Sequence, residues 1–341
     1  MSEAVALSLE HPDGSIEIRE LANGRRHILI APRSDEYFIS VSECETAYPV
    51  DLIERILHVK TPAWLCDEIL RDESPHYVQH MLRRLILSHV AEDKIGGRIL
   101  DFGCGGGAST MILARMFPDA EVVGVDIDDQ ALSIAQARLD YYGYENVHLR
   151  VAGPADGVSE DLGQFDCLVL WAVYEHLLPH ERESLVPQLW ALLSPGGLLF
   201  IGETPHRYSP VDLHTTGLPL INYLPDALAL RAARAFSPRV GTDDSWETLL
   251  RRGIRGGSRS EIVALIRQRA REEPMVVAPS CPGVRDAFDL WYLLSKPTRP
   301  RRIVRSLLRG LHAATGVIFT PQLALALRKA EPASSLSVPG G

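Results

Sequence analysis

The chain of 341 residues is 46% hydrophobic, enough to bury a full core as one large domain with additions or as two domains. Its net charge of −9 and pI near 5.8 exclude a general nucleic-acid binder, which needs a basic surface for phosphate. The five cysteines (Cys44, Cys66, Cys104, Cys167, Cys281) are scattered, with no Cys-x-x-Cys spacing, so neither a disulfide framework nor a structural zinc site is indicated.

The first residues, MSEAVALSLEHPDG, lack a basic region followed by a sustained apolar run, and no signal peptide is expected. The longest uncharged run, Leu185 to Gly202, is broken by Ser-Pro-Gly-Gly and cannot span a bilayer as a helix. A soluble cytoplasmic protein without a membrane partner is expected. From about Ser15 to Val50 the runs SIEIREL, RHILIA and YFISVS alternate apolar and polar residues between turn signals, which predicts a small antiparallel β element. It would complete a homodimer or cover the active site. Residues 61–92 read as helical, with a break at Ser74–Pro75.

From Arg98 the pattern changes. RILDF, EVVGV, VHLRVA, FDCLVLW and GGLLFIG are separated by the helix-length segments STMILARMF, DQALSIAQARLDYYG and ERESLVPQLWALL. This alternation predicts an α/β fold, a parallel sheet with helices on both faces. Residues 220–316 are too long for a single connection and carry the helical stretches PDALALRAARAF, SRSEIVALIRQRAREE and RRIVRSLLRGLHAAT; part of this insert is expected to close over the site as a lid. The predicted division is a β-rich extension over 1–60, a helical segment over 61–95, a core over 96–219 with 317–330, the insert over 220–316 and a disordered tail over 331–341.

The first strand of the alternating region leads into LDFGCGGGAST, placing Gly103, Gly105 and Gly107 where the chain turns into a helix. Glycines there let the backbone approach a ligand, and the helix offers unpaired N–H groups. Asp126 falls at the end of the next strand, in VVGVDID, where a carboxylate can accept the ribose hydroxyls of an adenosine ligand. Gly103 to Ala108 also satisfies a relaxed dinucleotide fingerprint, which makes a nicotinamide-dependent oxidoreductase the competing reading. Against it, Asp101 would meet an incoming pyrophosphate with a negative charge, the alternate glycines open a wide turn, and no second nucleotide-binding half follows.

ILDFGCGGGAST, VVGVDIDDQAL, FDCLVLWAVYEHL and LLSPGGLLFIGETP resemble, in order, the motifs of class I S-adenosylmethionine-dependent methyltransferases. The likeness covers about Arg98 to Pro205 and is nearest to ubiquinone-biosynthesis-type small-molecule O-methyltransferases. It implies a Rossmann-like, seven-stranded, mostly parallel sheet whose last strand is antiparallel, and FTPQLALALRKA fits that strand. It also implies S-adenosyl-L-methionine as cofactor, with Asp101, Gly103, Gly105 and Gly107 at its methionine end and Asp126 on its ribose. Cys104, Ile127, Asp156 and Trp171 complete the implied cofactor set. Two departures stand out. Pro154 occupies the place where the family has an aspartate on the adenine, leaving Asp156 as the substitute. The ExxEH metal motif shared with small-RNA 2′-O-methyltransferases is here AVYEH, with Ala172 for the first glutamate and Glu175 and His176 retained.

In such a sheet the ligand lies outside the carboxyl ends of the strands. Candidate groups are therefore Tyr174, Glu175 and His176 after the fourth strand, and Glu203, His206, Tyr208 and His214 after the fifth. Methyl transfer from a sulfonium is an in-line displacement that needs alignment and exclusion of water, and a hydroxyl acceptor also needs a base. His176 is the first choice of base, His206 or His214 the second. The bland readings are a turn capped by Glu175–His176, ordinary loop polarity for His206 and His214, and packing walls for Trp171 and Tyr174. Glu175, His176, His206 and Glu203 bring too few carboxylates for a hard cation, so no metal is expected.

The expected activity is methylation of a small molecule, at oxygen before nitrogen or carbon. The alternatives are a peptide or carrier-bound acceptor docking on the basic runs LLRRGIRGGSRS and KPTRPRRIVRSLLR, or a cofactor-binding protein without transfer activity. The basic runs themselves read first as solvated helix faces.

Overall fold

The computed structural model describes residues 6–34, 37–152 and 162–331. Asp156 and the expected tail from residue 332 lie outside them. The chain begins with an antiparallel meander, β1 (Ala6–His11), β2 (Gly14–Glu20), β3 (Arg26–Pro32) and β4 (Glu43–Thr46), paired in that order. YFISVS is irregular rather than a strand; both the backbone and the hydroxyl of Ser40 donate to the Ala63 carbonyl instead. Helix α1 (Val50–Glu73) starts well before Thr61, where it kinks: Thr61 takes a φ of 59° and Pro62 follows, because proline disfavours helical geometry in the residue before it. Helix α2 spans Val78–His89.

The alternating region forms as its pattern dictates: β5 (Arg98–Phe102), α3 (Ala108–Met116), β6 (Glu121–Asp126), α4 (Asp129–Tyr142), β7 (Val147–Val151), β8 (Phe165–Trp171), α5 (Pro179–Ala191) and β9 (Leu193–Pro205). The insert holds α6 (Asp226–Phe236), α7 (Trp246–Arg251), α8 (Arg259–Leu265), the two-residue strand β10 (Met275–Val276), α9 (Ala287–Leu294) and α10 (Arg299–Thr315), and β11 (Gln322–Arg328) follows. The main sheet has seven strands in the order β10-β11-β9-β8-β5-β6-β7. β8 runs parallel to β5 and β9, and β6 parallel to β7, while β11 is antiparallel to β9 and β10 to β11. No helix among the described residues is long and apolar enough to cross a membrane.

The chain divides into two compact units, residues 1–83 with 103–152, and residues 84–102 with 153–341. In the first, Ile16, Ile18, Ile28 and Ile30 of the meander pack on Ile53, Ile56 and Ile69 of α1 and on Ile134 of α4 in one core. Beside this core lies a polar centre. The Arg138 side chain is fully buried; it donates to Glu68 Oε1 at 2.8 Å, to the Glu68 carbonyl at 2.6 Å, to the Tyr48 hydroxyl at 3.1 Å and to the Gly106 carbonyl at 2.5 Å. Asp72, also buried, accepts from Tyr48, from Tyr142 at 2.9 Å and from Arg115 at 2.7 Å. Burial alone would raise the Glu68 pKa, but the charge of Arg138, with Lys60 and Arg71 behind it, outweighs that and holds it below the usual carboxylate value. Replacing Arg138 by Met strands the buried Glu68 without its hydrogen-bonded cation, while Asp72 keeps Arg115, so Arg138→Met is expected to cost about 3–5 kcal/mol in chemical denaturation. A loss below about 1 kcal/mol would contradict this assignment.

Candidate active site

In the first unit, three glycines of the turn after β5 take left-handed conformations, with φ of 75° at Gly103, 53° at Gly105 and 81° at Gly107. The steric reason is plainest at Gly107. Gly107 begins α3, and a Cβ there would lie 2.7 Å from the Ala135 Cβ. Gly105 faces open space, with nothing within 4 Å of a Cβ. Gly106, which the turn pattern alone does not single out, is crowded as well: a Cβ would fall 2.4 Å from Glu68 Oε1 and 3.1 Å from the Arg138 guanidinium, so a side chain there would displace that pair. Asp126, at the end of β6, accepts from the Gly105 N–H at 2.7 Å and from the Asp128 N–H at 2.9 Å, one on each oxygen. Its carboxylate is thereby fixed in place with lone pairs left over. Ile127 beside it is exposed and Cys104 is buried.

The second unit holds the loops after β8 and β9. Asp101, next to last in β5, is buried, and Trp171 is buried with its ring across Gly202 of β9. Ala172 and Glu203 adopt φ of 56° and 57°, a region that disfavours residues with side chains. Glu203 lies at a register shift in the β9–β11 pairing, where the extra residue re-aims its neighbours. The next residue, Thr204, donates its hydroxyl to Glu175 Oε2 at 2.8 Å.

Glu175 is wholly buried, and among the described residues no cation pairs with it at hydrogen-bond distance and its Oε1 finds no hydrogen-bond partner; that oxygen lies 3.7 Å from His176 Nε2. Burial pushes its pKa up to about 8, beyond the relief given by Thr204. His176 Nδ1 sits 2.7 Å from the Arg251 carbonyl, which makes Nδ1 the protonated nitrogen and leaves the lone pair on Nε2. Desolvation holds the His176 pKa below the ordinary value, against the Arg251 carbonyl. His214 joins them, its ring 6.0 Å from that of His176. Glu175, His176 and His214 each offer an atom within 4.8 Å of the others, close enough to share one proton or one ion. Room for the His214 ring comes from Gly253, where a Cβ would lie 2.7 Å from His214 Cδ2 and 3.2 Å from Glu175 Cγ. Desolvation, and then the neighbouring His176, hold the His214 pKa down as well.

The remaining side chains of these two loops fall elsewhere. Tyr174 is buried under the Arg182 guanidinium, 4.5 Å from its ring centroid, and burial pushes its phenol pKa up. His206 is buried, accepts from the Tyr208 N–H at 3.2 Å, and is held at a pKa of about 4 by burial. Asp212 caps its own turn, accepting from the N–H groups of Thr215 and Thr216 at 3.1 and 2.8 Å. Arg251 and Gly253, which complete the histidine pair, come from the insert and carry no motif.

Among known proteins, a family model described as a methyltransferase domain matches residues 99–197. The trans-aconitate 2-methyltransferase of Variovorax paradoxus (strain S110) is 32% identical over 199 residues, which cover 52% of this chain and 68% of that protein. The chain belongs to the class I S-adenosylmethionine-dependent methyltransferases. The protein of the same name from Paracidovorax citrulli (strain AAC00-1) is 31% identical over 179 residues, covering 52% of this methyltransferase and 63% of its own length. A solved methyltransferase, SibL in its apo form, has a TM-score of 0.45 at 15% identity, over 84% of this chain and 71% of that one. S-adenosylmethionine is the cofactor of this methyltransferase. The open space at Gly105 and the spare lone pairs of Asp126 suit such a ligand.

The Glu175 shift has a consequence for stability. A carboxyl whose folded pKa of about 8 exceeds its ordinary 4.5 contributes stability that is full below the lower value and lost as pH rises through the higher. Glu175→Gln cannot ionise. Its melting temperature relative to the native protein is therefore expected to rise between pH 5 and pH 9; an unchanged difference would mean that Glu175 is not shifted.

Proposed function

We propose that this methyltransferase transfers a methyl group to an oxygen of a small-molecule acceptor, with His176 as the base and Glu175 and His214 as its partners. The observation that carries the reading is the buried Glu175 Oε1 at 3.7 Å from the unprotonated Nε2 of His176. The cofactor supplies an electrophilic methyl on a good leaving group, so the chain's part is to align the acceptor, exclude water and accept a proton. Gly103, Gly105 and Asp101 would hold the methionine end and Asp126 the ribose. An acceptor hydroxyl that gives its proton to His176 Nε2 leaves an imidazolium beside Glu175, and that charge draws the Glu175 carboxyl toward ionisation. The relatives, named for trans-aconitate, support a small acceptor.

A second reading, a carboxylate acceptor, is favoured by a different observation. The Arg207 and Arg255 guanidiniums both donate to the Asn222 carbonyl, and Arg207 pairs with no carboxylate among the described residues. Burial, and then the charge of Arg255, lower its pKa. Arg255 already pairs with Asp226 at 2.8 Å, so an anion there would relieve chiefly Arg207, and a carboxylate oxygen needs no base.

Two measurements test these assignments. Asp126→Ala is expected to weaken S-adenosylhomocysteine binding by about 1.5–3 kcal/mol in calorimetry; unchanged affinity would mean that Asp126 does not hold the ribose. Methyl-labelled cofactor, offered with panels of hydroxyl-bearing and carboxylate-bearing metabolites, identifies the acceptor. With a hydroxyl acceptor, His176→Asn should lower kcat about 10²-fold or more and remove the acid limb of its pH profile. With a carboxylate acceptor His176→Asn should do little, and Arg207→Met should raise KM. Label found only in macromolecules would sink both readings and favour a peptide or carrier-bound acceptor. Binding without transfer to any acceptor would mark a cofactor-binding protein.

A further inference from the structure

Helix α10 is mounted with its charges inward. Arg305 and Arg309 reach Asp289 Oδ1, each at 2.9 Å, and Arg309 Nε reaches Asp286 Oδ2 at 3.0 Å, both acids belonging to α9 and its N-cap. Leu308 is buried with Phe288 and Trp291, and the His312 ring lies 5.4 Å from that of Phe288. This face, at 305, 308, 309 and 312, is the side that meets the protein. The opposite side carries Ile303, Val304, Leu307 and Leu311, at helical spacing, and Ile303 and Leu307 are 63% and 68% exposed. An apolar stripe on a well-anchored helix calls for something to cover it.

The charge around the stripe says what. Between Leu290 and Ala330 the sequence contains no Asp or Glu, although the whole chain has a net charge of −9. Lys296, Arg299, Arg301 and Arg302 are exposed at the start of α10. Arg301 donates to the Lys296 carbonyl, and Arg299 and Arg302 meet no carboxylate among the described residues. Side chains exposed this far stand as a ridge, whereas partner helices are received in grooves. A second copy would set one acid-free helix against another, with no carboxylate to answer the arginines. A bilayer rich in anionic lipid meets both demands, since its headgroups pair with the cations while its acyl boundary takes the apolar face.

We propose that α10 is a membrane-surface helix that docks this protein reversibly on anionic phospholipid, its Ile303–Leu307–Leu311 stripe in the acyl boundary and Lys296, Arg299, Arg301 and Arg302 among the headgroups. This revises the expectation of no membrane partner, which rested on the lack of a spanning segment; a helix lying in the interface needs no such length. The docking does not depend on which acceptor is methylated.

The test is sedimentation of the full chain with vesicles of phosphatidylcholine alone, or with roughly a third phosphatidylglycerol. The protein should pellet with the anionic vesicles at least tenfold more strongly than with the neutral ones, and lose that binding as salt rises from ~0.1 M to ~0.5 M. Ile303→Asp with Leu307→Asp, both at exposed positions, should abolish pelleting and leave the melting temperature and S-adenosylhomocysteine affinity unchanged. Arg299→Glu with Arg302→Glu should abolish the preference for anionic lipid. Equal binding to both vesicles, no binding to either, or binding indifferent to the aspartate pair would each overturn the proposal. So would a dimer in sedimentation velocity that the aspartate pair dissolves while no vesicle binding is seen.

Discussion

A single buried guanidinium sets the geometry on which the first unit depends. Arg138 comes from α4, Glu68 from α1 and Gly106 from the glycine turn, while Tyr48 brings in the segment that follows the meander. Removing a charged group from water costs several kcal/mol, and pairing alone does not return a profit in stability. What the planar fork gives is direction: its N–H groups point along fixed lines, so the elements that accept them are held in one register. The glycine turn must present bare backbone to a ligand on one side. It is tied by its Gly106 carbonyl to Arg138 on the other. Gly106 has no side chain because the space behind it is already filled by the Glu68–Arg138 pair.

Two buried glutamates show how the same group is put to opposite uses. Glu68 has its cation, and its pKa is held below the usual value despite burial. Glu175 is as deeply buried but receives a neutral hydroxyl and faces imidazoles, and its pKa rises to about 8. The difference lies in the partner, not in the depth. A paired carboxylate stays ionised across the physiological range and acts as structure. An unpaired one titrates within that range and can take part in proton movement. The second arrangement is costly to hold, and the left-handed conformations of Ala172 and Glu203 lie in the same strand exits.

The parts of this organisation visible in the sequence are those encoded locally. Each strand of the parallel set is a short apolar run, each helix between them a periodic segment, and the glycine turn and Asp126 sit at fixed offsets from strand ends. Arg138, Glu68 and Asp72 belong to no motif, because their partners come from separate stretches of chain. A signal was present all the same: Glu68 and Asp72 stand four apart among Leu65 and Ile69, carboxylates on the buried side of a helix. His214 was among the candidates, but its place beside Glu175 depends on Gly253 and on the insert, which no spacing rule reaches. His206 looked equivalent in the sequence and is sequestered instead. YFISVS, which alternates like a strand, is irregular for a similar reason, since Ser40 donates to the Ala63 carbonyl rather than to a neighbouring strand.

Helix α10 shows the limit of pattern reading most clearly. Its apolar positions at 303, 304, 307 and 311 and its arginines define two faces unambiguously, and the ordinary rule would turn the apolar face to the core. The rule fails here because α9 and its N-cap present Asp286 and Asp289, and these reward arginine more than leucine. Charge-assisted bonds from Arg305 and Arg309 to partly or wholly buried carboxylates fix the helix by its polar side, and the apolar side is left outward as a consequence. The orientation is therefore set by two aspartates outside the helix. Amphipathicity in a sequence gives the existence of two faces; the charges on the neighbouring element decide which one meets the solvent.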